Sequence, residues 1–267
     1  MTKLSELINC LHQVAPQHLQ EDYDNAGLIT GHPDMPVNGV LVCLDAIEAV
    51  VDEAIALKCN VIVAHHPIVF KGLKRFNGSN YVERTIIKAI KNDIAIFAIH
   101  TNLDNVYDSG VNGKIAEKIG LVNTTILSPK TDILYNDSQV GSGMTGELSA
   151  PLSPLEFLGL LREKMELKVI KHTALCKKTI SRVAVCGGSG SFLLPQAIRS
   201  GADVFITSDF KYHEFFDADN NIIIADIGHY ESEKYTIELL YALISNKFSN
   251  FAAHCTKIIT NPVNYYQ

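Results

Sequence analysis

An α/β protein of two similar, interleaved lobes is predicted by three features of the sequence. Short apolar runs of four to six residues alternate with amphipathic stretches of about ten, the pattern of largely parallel strands joined by helices. The pattern then repeats. At an offset of 143 residues Val40-x-Val42-Cys43 falls on Val183-x-Val185-Cys186, Ala54-Ile55 on Ala197-Ile198, and Asn60-Val-Ile-Val63 on Asp203-Val-Phe-Ile206, without a gap. The next strand matches at a shorter offset, Ile94 to Ile99 over Ile222 to Ile227. Finally, 267 residues with 47% hydrophobic and 19% charged side chains suit a packed core and exclude disorder. A chain of this length buries about three-quarters of its unfolded surface and needs no covalent staples.

The elements follow in order. Leu4, Leu7, Ile8, Leu11 and Val14 recur at helical spacing behind Thr2, a plausible cap, and predict an opening amphipathic helix. Val40 to Leu44 predicts a buried strand, Ala46 to Leu57 a helix and Val61 to Ala64 a second strand. Val82 to Lys91 predicts a second helix and Ile94 to Ile99 a third strand. The stretch from Asn123 to Lys178 is less regular. Within it Ser142 to Leu148 predicts a short edge strand, and Ser153-Pro154-Leu155-Glu156 opens a helix with a capping box that runs to about Met165. Residues 1–125 with 222–267 are expected as one lobe and 126–221 as the other. Each is expected to be a largely parallel or mixed sheet flanked by helices, and the two are expected to pack together with a metal site between them.

Composition narrows the function. Lys and Arg number 23 against 29 Asp and Glu, a net −6, so neither nucleic acid nor a membrane surface is an expected partner. No apolar run approaches the roughly 18 residues that span a bilayer. Lys3, Glu6 and His12 interrupt the first apolar residues, so this segment does not read as a secretory signal, and a cytoplasmic location is expected. Cys10, Cys43, Cys59, Cys176, Cys186 and Cys255 show no CxxC spacing and read as free thiols; Cys43 and Cys186, matched in the repeat, read as core.

The chemistry gathers just past strands. Ala64-His65-His66-Pro67 ends the second strand; adjacent strand side chains point apart, but at a strand end before proline they can diverge towards two neighbouring ions. His100-Thr101-Asn102-Leu103-Asp104 ends the third, setting a carboxylate where Asp also commonly serves as a turn or cap residue. Asp226 to Glu233 ends the equivalent strand of the second repeat. There His229 and Glu233 share a helical face one turn apart if the helix has begun by His229, although acidic residues also suit any helix N-terminus. Three histidines and two carboxylates at corresponding strand ends form an N/O donor set suited to Zn, Mn, Fe, Co or Ni. Five ligands are too many for one tetrahedral ion and about right for two that share a carboxylate and activate a water between them.

Around this set other residues have weaker readings. Lys71, Lys74 and Arg75 follow the double histidine and either bind the phosphates of a nucleotide or form a solvated loop. Cys186-Gly-Gly-Ser-Gly190 resembles a phosphate-cradling turn but lacks the Lys-Ser/Thr of a P-loop. Asp24, Asn25 and Gly27 predict a turn near the site.

Tyr23-Asp24-Asn25-Ala26-Gly27-Leu28, His65-His66-Pro67, His100-Thr101-Asn102-Leu103-Asp104, Cys186-Gly-Gly-Ser-Gly190, Ser208-Asp209-x-x-Tyr212-His213 and Gly228-His229-x-x-Ser232-Glu233 stand in one particular order. In this the chain resembles the NIF-three-like dinuclear metal-centre proteins, also described as GTP cyclohydrolase 1 type 2 homologues. The resemblance covers the whole chain, in the short form without an inserted middle domain. Tyr23 stands where many relatives have Trp, and Ser208 where the family commonly has Gly.

The resemblance implies a toroidal homohexamer of two-lobed subunits, with metal pairs facing an internal cavity. It implies that His66 and Asp104 hold one ion, His65 and His229 the other, and that Glu233 bridges both. His100, Asp209 and His213 would orient ligands or move protons, with His213 a general acid for a leaving group, unless each is simply a satisfied polar residue at a lobe interface. The family name implies a dinuclear metallohydrolase opening the ring of GTP or a related nucleotide. A two-metal phosphoesterase and a non-catalytic ring-shaped metal-binding scaffold are the alternatives.

Overall fold

Strand-forming runs rich in Val, Ile and Phe build two separate sheets, with central strands that are buried along most of their length. The computed structural model describes residues 1–135 and 138–266. The chain divides into two units, residues 1–103 with 236–263 and residues 104–235 with 264–267. Its strands are β1 (Gly27–Thr30), β2 (Gly39–Asp45), β3 (Val61–His66) and β4 (Ala95–Ala98) in the first unit. The second unit holds β5 (Leu121–Tyr135), β6 (Ser138–Leu152), β7 (Lys171–His172), β8 (Ile180–Ser189), β9 (Val204–Ser208) and β10 (Ile223–Asp226). The chain then returns to the first sheet with β11 (Ala252–Cys255).

The first sheet runs β1-β4-β3-β2-β11, and all its pairs are parallel except β1 on β4. Helices Glu48–Ala56 and Tyr81–Lys91 cover one face; Val50, Val51, Ala54, Ile86 and Ala89 pack there against Leu41, Cys43, Ile62, Ala64 and Ile96. Thr236–Lys247 lies against β2 and β3, with Leu4–Val14 packed on it. Each Leu, Ile or Phe sealed in this way contributes roughly 1.5–3 kcal/mol, which is why the strands read as unbroken apolar runs. The opening helix starts one residue later than Thr2 would set it. Lys3 takes the N-cap position and its N–H donates to Glu6 Oε1 at 2.9 Å, while Thr2 Oγ1 accepts from Asn250 Nδ2.

The second sheet runs β5-β6-β8-β9-β10-β7. Its centre, β8-β9-β10, is parallel and repeats the first unit in register. Val40 faces Val61 and Val183 faces Val204; Leu41 faces Ile62 and Ala184 faces Phe205. On the third strand, Val61 faces Ala95 and Val204 faces Ile223. Both offsets seen in the sequence therefore reappear as strand pairings, and an antiparallel edge strand, β1 or β7, lies beside the third strand in each unit.

Two features differ from the sequence reading. The irregular stretch holds the long antiparallel pair β5 and β6, 15 residues each, rather than one short edge strand. Glycine hides it: a Cβ at Gly146 would press on Thr124 and Leu121, and one at Gly141 would run into Ser128 O, so close backbone approach excludes the branched residues that mark a strand. The unit bounds also fall elsewhere. Helix Val111–Ile119 packs against β5, β6 and β8, and β10 pairs with β9, so both belong with the second unit. The helix after Ser153 forms as expected, Pro154–Lys164, with Ser153 Oγ and Glu156 closing the capping box. Among the described residues no helix is long and apolar enough to cross a membrane.

Candidate metal centre

In the first unit, the carboxyl ends of β2, β3 and β4 lie side by side and carry Asp45, His65-His66 and, just beyond, His100. His65 is buried, and its Nδ1 lies 2.9 Å from Ile99 O. His66 is in register with Asp45, and its Nδ1 lies 2.9 Å from Asp45 Oδ1. Asp45 Oδ2 in turn accepts from Thr260 Oγ1 at 2.6 Å. His100 Nδ1 lies 2.8 Å from Asp24 Oδ1, and Asp24 Oδ2 accepts from the Thr101 N–H and hydroxyl. Burial alone would raise the Asp24 carboxyl, but these bonds and the facing imidazole outweigh it and bring it to about 2. The turn expected at Asp24-Asn25-Gly27 is thus tied directly to His100, and Asn25 Nδ2 reaches across to Val69 O at 2.6 Å.

The three imidazoles converge. Ring centroids are 4.8 Å apart for His65 and His66 and 5.3 Å for each of them with His100, and one ligand atom of each lies within 4.8 Å of the others. Asn102 locks the loop that presents His100: its Oδ1 accepts from the His100 N–H at 2.9 Å and its Nδ2 donates to Ala15 O at 2.7 Å. Asn102 is 1% exposed, so Asn102→Ala takes the partner from one buried and one half-buried backbone group. A loss of about 2–4 kcal/mol is expected in urea unfolding; a loss under about 0.5 kcal/mol would show that water replaces the amide.

In the second unit, the short helix His229–Glu233 follows β10, as the spacing required. His229 Nε2 lies 3.1 Å from Glu233 Oε2, one turn on, and its Nδ1 lies 2.6 Å from Asp209 Oδ2. Burial works against the imidazolium, but hydrogen bonds to Asp209 and Glu233 and their charges prevail and push the His229 pKa up to about 11. A cation placed beside Nε2 takes the role of that proton. Glu233 is 2% exposed. Asp209 sits at φ 62°, in the left-handed region that Asp tolerates better than most residues, directly after β9. Ser208, the departure from family pattern, is fully buried and its Oγ donates to Gly188 O at 2.6 Å. The serine therefore fastens β9 to the end of β8, where Cys186 to Ser189 are an irregular stretch of strand and not the turn expected from the sequence.

This segment is not open to phosphate. The Gly187 N–H donates to Asn112 Oδ1 at 3.0 Å and the Gly188 N–H to Ser232 Oγ at 2.9 Å. Gly188, at φ 63°, instead floors the carboxylate: a Cβ there would strike Glu233 Oε1 and lie 3.3 Å from His229 Cε1. Asp104 ends the helix Thr101–Asp104, with its carbonyl accepting from Asn112 Nδ2 at 3.0 Å. Burial, together with the charges of Asp104 and Glu233, pushes the Cys186 thiol far up, in keeping with a core role.

The remaining sequence candidates have other surroundings. His213 is exposed on the helical turn Tyr212–Ala218, its ring stacked on Phe216 and edge-on to Tyr212. Lys71, Lys74 and Arg75 are exposed between β3 and Tyr81–Lys91. Three contributors went unrecognised in sequence. Asp45 had a usable signal, a carboxylate ending the strand beside the double histidine. Gly188 and Asp226 had none, since close approach of backbone and a buried clamp appear only once the chain is folded.

A family model described as Duf34/NIF3 (NGG1p interacting factor 3) matches residues 2–262. A Clostridium perfringens protein named GTP cyclohydrolase 1 type 2 homolog is 33% identical over 232 residues, covering 86% of this chain and 87% of its own. A crystal structure of a Bacillus cereus protein related to NIF3 superposes with TM-score 0.90 at 26% identity, covering 99% of each chain. A Staphylococcus aureus protein structure matches with TM-score 0.90, 30% identity and 99% coverage of each chain. With an α/β architecture and candidate His/Glu metal-binding groups in place, the chain belongs to the Duf34/NIF3 family.

Proposed function

We propose that the chain binds two divalent transition-metal ions and is a metal-dependent hydrolase, GTP cyclohydrolase-like on a nucleotide. The observation that carries the reading is the set of anchored imidazoles: His65, His66 and His229 are each held at Nδ1 by an oxygen, as metal-binding histidines are. The donors are imidazole and carboxylate, suited to Zn, Mn, Fe, Co or Ni, and the absence of a Cβ at Gly188 leaves room around Glu233. These residues fit such ions. Following the resemblance, His66 and Asp104 would hold one ion and His65 and His229 the other, with Glu233 a ligand to the pair. Bound divalent ions supply Lewis acidity and a nucleophilic water near neutral pH.

The chain's own residues do the rest. Asp45, the Ile99 carbonyl and Asp209 fix the imidazole orientations, and Gly188 keeps Glu233 in place. His213 protonates the leaving group, and Lys71, Lys74 and Arg75 take nucleotide phosphates. The assembly is a toroidal homohexamer in the cytoplasm, and light scattering reads its mass.

Elemental analysis of protein purified without chelator tests the reading. About two ions per chain are expected in the wild type and at most about one in Glu233→Ala. With metal loaded, GTP should yield formate without phosphoester cleavage. Phosphate release from generic phosphodiesters instead would make the protein a phosphoesterase. No bound transition metal even after reconstitution would end the metallohydrolase reading.

A further inference from the structure

We infer that the loop after β3 is a nucleotide platform: Phe70 stacks the base, Lys71, Lys74 and Arg75 take the phosphates, and the bound nucleotide turns its base, not its phosphate chain, to the histidines. This rests on the nucleotide reading above and deepens it by naming the base contact and the ligand's orientation.

The loop is displayed on a fixed frame. Ile68, Val69 and Leu73 pack against the core of the first sheet, and Val69 O accepts from Asn25 Nδ2 at 2.6 Å. At the far end Glu83 accepts from the Ser79 N–H at 3.0 Å, the Ser79 hydroxyl at 3.1 Å and Asn80 Nδ2 at 3.0 Å. Between these anchors, Phe70 to Phe76 brackets three exposed cations with two aromatic rings, Phe70 52% and Phe76 59% exposed. Large apolar rings held in water contribute little to the fold. On an anchored loop they bind a ligand with little further loss of freedom.

Charge selects the ligand. From Pro67 to Val82 there are three cations and no acid, in a chain of net −6. Glu83, the first carboxylate beyond, is engaged by the turn before its helix. On that helix Arg84 and Lys88 pair with Glu48 and Asp52, whereas among the described residues Lys71, Lys74 and Arg75 have no ion pair. Three uncommitted cations beside an open aromatic ring suit a phosphate chain joined to a base.

The order of these groups sets the orientation. The Phe70 ring lies 5.8 Å from that of His100 at 81°, and His100 lies 5.3 Å from both His65 and His66. Phe70 meets His100 edge-on and is half exposed, so ring surface stays open for stacking. The aromatic end of the loop is thus the end beside the histidines, and Lys74 and Arg75 follow four and five residues on. Every base has a π-face, so this contact accepts other bases as well as guanine.

Calorimetric titration of the full, metal-loaded chain with GTP, guanosine and inorganic tripolyphosphate is the test, with metal content measured beside it. Wild type, Phe70→Leu, Phe70→Tyr and the double variant Lys74→Ala with Arg75→Ala are compared; all three positions are exposed, so the fold is spared. Phe70→Leu should weaken GTP and guanosine by about 5–150-fold, the worth of one stacked base, and leave tripolyphosphate unchanged. Phe70→Tyr should bind all three as the wild type does. The double variant should weaken GTP and tripolyphosphate by about tenfold or more, flatten their salt dependence and leave guanosine unchanged. GTP affinity indifferent to Phe70→Leu, or tripolyphosphate affinity indifferent to the double variant, overturns the inference, and ions still bound in that protein leave the metal reading standing. A wild type that holds no metal yet binds GTP with these dependences overturns the metal reading and keeps the platform. A wild type that binds none of the three ligands overturns the platform.

Discussion

Gly188→Ala is expected to strip metal from a protein that still folds. The new Cβ would meet Glu233 Oε1, the far end of a flexible side chain, so the carboxylate swings away and the backbone need not move. The residue also sits at φ 63°, where alanine costs about 1–2 kcal/mol more than glycine. Stability should therefore fall by no more than about 1–3 kcal/mol, including local overpacking. Metal content should fall as in Glu233→Ala, from about two ions per chain to at most about one. Elemental analysis beside urea unfolding separates the two effects. Full metal content in Gly188→Ala would mean that Glu233 holds no ion in the orientation seen here.

The second large effect belongs to stability. Asp226 ends β10 with 1% exposure; its Oδ2 accepts from the Phe210 N–H at 3.1 Å and its Oδ1 from the Gly228 N–H at 3.2 Å. Lys171 Nζ lies 2.7 Å from the same carboxylate. These two N–H groups lie beside Asp209 and His229, so one carboxylate clamps both loops that make the Asp209–His229 pair. In Asp226→Ala the lysine, 58% exposed, returns to water, but the two N–H groups lose their acceptor. A loss of about 3–5 kcal/mol is expected, with roughly half of it in Asp226→Asn, which keeps one oxygen. Urea unfolding measures both. If alanine costs less than about 1 kcal/mol, the loops are held by something else.

Much of this was legible before folding, and the reason differs from residue to residue. The parallel centres of both sheets show in sequence because strands covered on both faces carry no polar interruptions, and Val40 to Leu44 or Val204 to Ile206 could be little else. The repeat was legible because register is a property of spacing, and an offset that aligns side chains also aligns pairings. His229 and Glu233 were legible because four residues make one helical turn. What stayed hidden depends on contacts far apart in the chain. Asp24 is 76 residues from His100, and nothing local announces their bond. β5 and β6 were hidden because Gly141 and Gly146 are selected for close approach and not for strand propensity. The aromatic surroundings of His213 likewise come from a turn whose residues read equally well as a solvated helix.

The return of β11 to the first sheet sets a timetable for synthesis. β2 pairs with β3 on one side, but its other side waits for Ala252–Cys255, about 200 residues later in translation. At 5–20 residues per second that interval is about 10–40 s, during which an apolar strand from Val40 to Leu44 keeps an unpaired edge on the nascent chain. The intervening unit is nearly contiguous, and its residues 104–235 are made within this interval. Newly made chains are thus most exposed to edge-to-edge association, and most in need of a chaperone, while the second unit is still emerging and the first is open on one side.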